Sequence, residues 1–478
     1  MQNKRDWRLG QSSSSLCSGF QTDSQKSGQN LRGCPNKTGP QPRETRRGIG
    51  LAESEWAFEW CFGVVLNGHV ARCAFVDIEF FVAHDVRNGF LLGFEALFDF
   101  DFALGFLHVE VFGEQLHFDI VPTTQLAPDA AKCLRHMKPT RLAVIGFGRW
   151  GHFCHAALIR LAPGLELAGI ASSDAGKRAQ IEAELGVRAY DSLEAVILDD
   201  SVDALVLATP NDTHFDFAMR ALDAGKHVVT DKPMCLSLGE CDAMIERAQA
   251  RGLLLTTFQN RRLDGDFLTL QHLIAGGELG ELRWLELSWG GFGQWGGWRA
   301  TIEHGGGKFL DLGAHLIDQA LLLFPCPVTG VYLRLHHDHP DSPVESEAFL
   351  VLEFENGATA VCDTSSLSAI SKPRFYARGT QATFCKYGLD PQENALMKSD
   401  LSRAEEDPAT FGTLKGAGDE RQVPTMPGRW RDFYENFALA AQGNGELLAP
   451  PQQTRRVMAV FEAARQSTHE GQLVRVSI

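Results

Sequence analysis

The sequence has no run of about 18 uncharged apolar residues, so it predicts no membrane-spanning helix. Its first residues, Met1-Gln2-Asn3-Lys4-Arg5, are basic but lead into Ser12-Ser13-Ser14-Ser15 rather than into an apolar signal segment. The 11 cysteines are scattered, and Cys235 and Cys241 lack CxxC spacing and a partner cluster. That usage predicts a reducing, cytoplasmic setting. Basic residues are the minority charge, with Lys+Arg at 45 against Asp+Glu at 60 and a formal net charge of -15. Such a chain has no general electrostatic grip on nucleic acid or anionic membrane, and neither is expected as a partner. Hydrophobic residues at 44% and charged residues at 22% exclude a mostly disordered, collagen-like or coiled-coil chain.

A length of 478 residues suggests two or three domains. Composition shifts near residue 136. All five tyrosines, from Tyr190 to Tyr434, lie beyond it, no lysine falls between Lys37 and Lys132, and no methionine between Met1 and Met137. Residues 1–50 are rich in Ser, Gln, Arg and Gly and read as disordered. Residues 56–121 alternate apolar and acidic side chains, a strand-like pattern, but their turn punctuation is poor and no closed fold emerges. One reading of 1–136 is an accessory domain. The preferred reading is a start assigned too early, because Met137-Lys138-Pro139-Thr140 directly precedes a strand. It predicts that 1–136 carries no catalytic residue.

Residues 141–146 (RLAVIG) form a short branched apolar run suited to a buried parallel strand. The run enters Gly146-Phe147-Gly148-Arg149-Trp150-Gly151, and 152–161 then has helical character. In G-x-G-x-x-G the first glycine makes a tight turn, the second admits a pyrophosphate to the backbone, and the third lets helix and strand pack closely. The helix N-terminus adds free N–H groups and positive potential. Strands over 165–171, 202–209, 227–230 and 253–259 alternate with helices over 174–185, 213–224 and 237–251, predicting a doubly wound parallel sheet.

The second strand ends in Ala171-Ser172-Ser173-Asp174, where an NAD enzyme usually places an acid for the ribose hydroxyls. Ser172, Ser173, Lys177 and Arg178 suit a 2′-phosphate, so NADP(H) is favoured with NAD as the alternative; Asp174 reads as a helix cap. Thr230-Asp231-Lys232-Pro233 closes a later strand at the ligand end of the sheet, where the Lys232 ammonium can stabilise a developing alkoxide. In Asp311-Leu312-Gly313-Ala314-His315, Asp311 and His315 stand at i and i+4, on one face of a helix. His315 suits a general base, and Asp311 suits a group that orients it or holds a substrate hydroxyl.

Residues 137–478 resemble the Gfo/Idh/MocA oxidoreductases. GFGRWG, ATPNDTH (208–214), AGKHVVTDKP (224–233) and DLGAHLID (311–318) carry the resemblance, with Asp231 standing where the family usually has Glu. NDTHF, QNRRLDGDF (259–267) and KYGLDPQE (386–393) are similar to the NADP-dependent scyllo-inositol dehydrogenase-like branch. The resemblance implies that Lys232 and His315 are the catalytic pair and that Asp311 binds substrate. It implies that Thr209, Pro210, Asn211 and His214 form a loop beside the cofactor. It also places Asn260 and Arg261 at the nicotinamide end, Arg261 toward the substrate, and Asp231 with the cofactor-binding set.

Beyond Arg262, strand-like runs at 282–289, 328–336, 346–355, 358–364 and 374–386 suggest an open, mostly antiparallel sheet. The predicted organisation is therefore an extension (1–136), a Rossmann dinucleotide-binding domain (137–260) and an α+β substrate and oligomerisation domain (261–478). The resemblance implies a homodimer or homotetramer through the C-terminal sheet. In the loop Gly290–Arg299, Trp295 and Trp298 suit stacking on a sugar or cyclitol ring and Arg299 suits its hydroxyls. His336-His337-Asp338-His339 reads as a solvated strand end, and no metal is expected. The expected activity is hydride transfer between nicotinamide and a sugar, cyclitol or related polyol. The alternative is a dinucleotide-binding regulator of the same fold without turnover.

Overall fold

The computed structural model describes residues 138–478 and, within 63–122, the backbone of six strands. Strands β1 (Gly63–Leu66) and β2 (His69–Arg72) form an antiparallel pair. Strands β3 (Ala74–Asp85), β4 (Gly89–Phe100), β5 (Ala103–Phe112) and β6 (Gln115–Pro122) form a sheet in sequential order. The alternation read over 56–121 thus becomes paired strands, with Leu97 opposite Phe106. The disorder read for 1–50 lies outside the described residues.

Six parallel strands follow: β7 (Thr140–Ile145), β8 (Leu165–Ala171), β9 (Arg188–Tyr190), β10 (Ala204–Leu207), β11 (His227–Thr230) and β12 (Leu255–Thr257). Their order is β12-β11-β10-β7-β8-β9, so the winding reverses between β7 and β10. A doubly wound sheet binds ligands at that reversal, beyond the carboxyl ends of the strands. The central strands β7 and β10 are near-continuous apolar runs because both faces are covered; Leu142–Val144 and Ala204–Leu207 are fully buried. The three-residue β9 was missed because it is too short to show periodicity.

Helices α1 (Ala157–Leu161), α2 (Ala175–Leu185), α3 (Leu193–Ile197), α4 (His214–Asp223) and α5 (Leu238–Arg251) cover the sheet. The helix read over 152–161 begins as a wider π-helical stretch, Trp150–Ala156, before α1. Asp174 caps α2 by accepting the Lys177 N–H at 3.1 Å, and Ser237 with Glu240 closes a capping box on α5. Both helices stop at left-handed glycines, Gly186 and Gly252.

The second sheet contains β13 (Leu282–Gly290), β14 (Val328–His336), β15 (Glu347–Phe354), β16 (Thr359–Ser365), β17 (Phe375–Gly379), β18 (Ala382–Lys386), β19 (Gly412–Gly416), β20 (Glu420–Val423) and β21 (Val474–Arg475). Its order is β20-β19-β18-β17-β13-β16-β15-β14-β21, and only the β13–β16 pairing is parallel. The run 374–386 is a hairpin rather than one strand, with Arg378 opposite Thr383.

Helices α6 (Gly265–Ala275), α7 (Lys308–Asp311), α8 (Gly313–Leu323), α9 (Gln392–Met397), α10 (Arg431–Ala441) and α11 (Pro451–Glu470) complete this part. Every residue of Gly313–Leu321 is buried, the polar His315, Asp318 and Gln319 among them. One apolar cluster joins Leu205 and Leu207 of the first sheet to Leu285, Val331 and Leu350 of the second. Another sets Trp430, Phe433, Tyr434 and Phe437 against Leu142, Val144 and Phe258, so the C-terminal chain returns to the first sheet. Truncating such an aromatic to alanine costs about 3–5 kcal/mol.

Candidate active site

A cleft of about 980 Å³ opens at the carboxyl ends of β7 and β10. Gly146 has φ +107°, and a Cβ on it would stand 2.5 Å from the Ala208 carbonyl oxygen. A Cβ on Gly151 would stand 2.1 Å from the Gly146 oxygen. Both contacts are against backbone, which cannot yield cheaply. Gly148 differs, with no heavy atom within 4 Å of a Cβ position, so its backbone is open to the cleft. Two glycines permit the loop and one permits the ligand, the division of labour a pyrophosphate cradle requires. Phe147, Arg149 and Trp150 also line the cleft, whereas Gly151 is packed beneath it.

Ser172, Ser173 and Lys177 stand together on the cleft wall beyond β8. Arg178 does not join them: it donates to the carbonyl oxygens of Ser172 at 2.8 Å and Ser173 at 2.9 Å, bracing the turn that presents the hydroxyls. Ser192, Glu194 and Arg220 complete this end of the wall, and Arg220 is paired with Glu194 and Asp216. Sequence reading missed these three because they arrive from α3 and α4.

The other end is a buried ion cluster. Lys232 Nζ donates to Asp311 Oδ1 and to the Asp311 carbonyl oxygen, both at 2.6 Å. An ammonium has three N–H donors, so one stays available to the cleft. Arg299 Nε donates to Asp311 Oδ2 at 3.2 Å, and its guanidinium lies 4.3 Å from the Trp298 ring centroid. Burial alone would raise the Asp311 pKa, but the Lys232 and Arg299 cations outweigh it and hold the carboxyl below its ordinary range.

His315 lines the same wall, stacked 5.7 Å from the Trp289 ring. Burial, reinforced by the charges of Lys232, Arg261 and Arg374, pushes its pKa well below 6.5, so the imidazole is neutral near pH 7. Asp311 and His315 do not share one regular helix. Leu312 separates α7 from α8, yet the kink keeps both residues on the cleft. Asp231 Oδ1 accepts a hydrogen bond from the Lys232 backbone N–H at 2.8 Å. Burial would raise its pKa, but His155 and Lys232 outweigh it and bring the value to about 2.

Thr209 and Pro210 line the cleft, whereas three neighbours assigned to the cofactor lie behind its wall. His214 is fully buried, with Nδ1 2.9 Å from the Pro233 carbonyl oxygen and Nε2 3.1 Å from that of Thr209. It ties two cleft loops together and does not face the cleft itself. Asn211 donates to the Gly305 carbonyl oxygen at 2.8 Å, and Asn260 is buried with Nδ2 unpartnered. Arg261 does line the cleft, its guanidinium 4.7 Å from the ring centroids of both Trp289 and Trp430. Trp289, Asp390, Glu393 and Asn394 are further wall residues that local pattern could not place, although 390 and 393 fall within KYGLDPQE.

His339 Nε2 lies 3.1 Å from Ser366 Oγ, and among the described residues no group of three or more His, Cys, Asp or Glu gathers as a metal site. No helix among them is long and apolar enough to cross a membrane.

A family model described as an oxidoreductase family with NAD-binding Rossmann fold matches residues 140–259, and the GFO/IDH/MocA C-terminal domain model matches 267–385. The chain belongs to the Gfo/Idh/MocA oxidoreductase family. An uncharacterized oxidoreductase, YdgJ, of Escherichia coli is 34% identical over 68% of this chain and 96% of its own length. The NADP(+)-dependent scyllo-inositol 2-dehydrogenase IolW of Bacillus subtilis is 27% identical over 70% of this chain and 96% of its own. The crystal structure of an NAD-binding protein from Listeria innocua superposes with a TM-score of 0.62 at 29% identity, covering 71% of this chain and 97% of that one. This Gfo/Idh/MocA chain is therefore an oxidoreductase with a nicotinamide-dinucleotide domain, and its open glycine loop accommodates such a group.

Proposed function

We propose that residues 137–478 form an NADP(H)-preferring dehydrogenase or reductase of a sugar, cyclitol or related polyol. The observation that carries this reading is the Lys232–Asp311 pair beside a neutral His315, on one wall of the cleft that the glycine loop enters. The dinucleotide, when bound, accepts or supplies the hydride. Lys232 gives its free N–H to the substrate oxygen and stabilises charge developing there. His315 takes the hydroxyl proton in oxidation and returns it in reduction. Asp311, engaged by two cations, holds Lys232 in place and keeps its charge balanced. Trp298 and Arg299 flank the substrate end, with Arg261 toward the nicotinamide.

Preference for NADP(H) rests on Ser172, Ser173 and Lys177 standing together on the wall. The NADP(+)-dependent activity named for the Bacillus subtilis relative supports the same reading. The second sheet is proposed to carry a homodimer or homotetramer contact, supported by the exposed Phe349 on β15. A polyol panel with NADP+ and with NAD+, read by the absorbance of reduced nicotinamide, tests the activity. Dinucleotide binding without turnover of any polyol would overturn it. Since every described residue that lines the cleft lies beyond 140, a chain beginning at Met137 should bind dinucleotide as the full chain does. Titration of both with NADPH checks that, and loss of binding would make 1–136 a structural part of the enzyme.

A further inference from the structure

Glu393 lies on the six-residue helix α9, far in sequence from the glycine loop, yet its carboxylate is divided between two arginines across the cleft. Arg149 Nη2 donates to Oε1 at 2.9 Å, and Arg261 Nη2 donates to Oε2 at 2.6 Å. The two partners are unequal. Arg261 is 2% exposed, held between two tryptophan faces and paired also with Asp264. Its burial makes loss of the carboxylate costly, so the Arg261–Glu393 contact is the fixed one. Arg149 has a side chain 58% exposed, and among the described residues its hydrogen-bond partner besides Glu393 is Met397 Sδ, at 3.2 Å.

Arg149 also directly follows Gly148, whose backbone is open to the cleft. A guanidinium there is within reach of a pyrophosphate on the loop, and phosphate is a stronger ligand for it than a carboxylate shared with a second arginine. One cation thus has two anionic claimants. One belongs to the C-terminal part of the chain and the other to the dinucleotide.

We infer that Glu393 competes with the dinucleotide pyrophosphate for Arg149, so that cofactor binding moves Arg149 from α9 onto the phosphates while Arg261 retains Glu393. Glu393 is then a positioning residue that sets cofactor affinity and release. The exchange ties occupancy of the phosphate site to a helix that also borders the nicotinamide end. No bond is made or broken apart from these ion pairs, and no proton need move.

The test is equilibrium binding of NADPH to the full chain, followed by tryptophan fluorescence. R149M should weaken binding about tenfold, the loss of one charge-assisted hydrogen bond. E393Q keeps an amide oxygen for Arg261 but is a poorer ligand for Arg149, and should tighten binding by about three- to tenfold. In the R149M background the E393Q gain should shrink below about twofold, because it acts through Arg149. Adenosine 2′-monophosphate, which lacks the pyrophosphate, should bind wild type and E393Q alike.

Unchanged or weaker NADPH binding by E393Q would overturn the inference. So would a gain that persists in full in R149M, which would mean direct repulsion of phosphate, or an equal gain for adenosine 2′-monophosphate. If E393Q does not fold, R149M decides alone, since it leaves the buried Arg261–Glu393 pair intact: unchanged affinity overturns the inference. The inference rests on dinucleotide binding, so a wild-type chain that binds neither NADPH nor NADH overturns both it and the proposed function. Every other outcome bears on Glu393 alone.

Discussion

The two ends of the cleft are built in opposite ways. The proposed phosphate end is mostly backbone and small side chains, Gly146, Gly148, Ser172 and Ser173, with Arg149 and Lys177 exposed beside them. The proposed reacting end is a cluster of charged side chains held almost out of solvent, with Lys232 and Asp311 buried and Arg299 capping them. Backbone that must admit a charged ligand needs space and free N–H groups, which short sequence motifs supply. A group that must hold charge at a reacting atom needs low solvent access and fixed counter-ions, which only distant segments can supply. The first end is therefore built mainly from two short motifs, 146–151 and 172–177, whereas the second draws on residues 231–232, 299 and 311–315.

Substitution at the reacting end should separate the two most sharply. His315→Ala should lower kcat by about 10²–10⁴, the span of a positioned acid–base group. Lys232→Ala should be of similar severity through lost stabilisation of the oxygen, while NADPH affinity changes little in either. Under the proposed chemistry both act on one oxygen, so the double variant should lose less than the product of the single losses. Steady-state kinetics beside NADPH titration would check this, and near-wild-type turnover by either single variant would remove that residue from the proposed chemistry.

The glycines test the opposite end. Gly151→Ala drives a Cβ against the Gly146 oxygen and should cost about 1–3 kcal/mol of stability as overpacking, visible as a lower denaturation midpoint. Gly148→Ala has room and should leave stability unchanged while weakening dinucleotide binding. If the two variants behaved alike, the division between loop-permitting and ligand-permitting glycines would be wrong.

A smaller change is expected at Ser172. Ser172→Asp should shift the NADP/NAD affinity ratio about tenfold toward NAD, by repelling the 2′-phosphate and accepting ribose hydroxyls. A wild type that already prefers NAD+ would refute the reading of Ser172, Ser173 and Lys177.

The mildest effect concerns pH. His315 has a folded pKa below its ordinary 6.5, so the unfolded chain binds the extra proton first and stability falls as pH drops below about 6.5. Asp231, near 2 when folded, contributes stability above its ordinary 3.8 that is lost as pH falls toward 2. Both slopes have the same sign. His315→Asn should flatten only the upper one, as thermal melts across pH would record. An unchanged slope near pH 6 would mean that His315 is not held neutral by burial.

Residues in sequence order determined much of this protein. The glycine loop, the alternation of β7, β8, β10, β11 and β12 with helices, the Ser237 capping box and the five main runs of the second sheet are local patterns, set by periodicity, turns and caps. The catalytic candidates were legible because a strand end and a helix turn carry them in short motifs. Tertiary structure alone decided the rest. It split 374–386 into a hairpin, added the strands β9, β19, β20 and β21, turned His214 and Asn211 into supports behind the cleft wall, and buried Asn260 off that wall. It gave Arg178 to two carbonyl oxygens and brought Glu393 to both Arg149 and Arg261. A side chain's direction depends on which distant surface covers it, and a buried charge settles on whichever counter-ion the fold delivers. Neither is encoded in spacing along the chain.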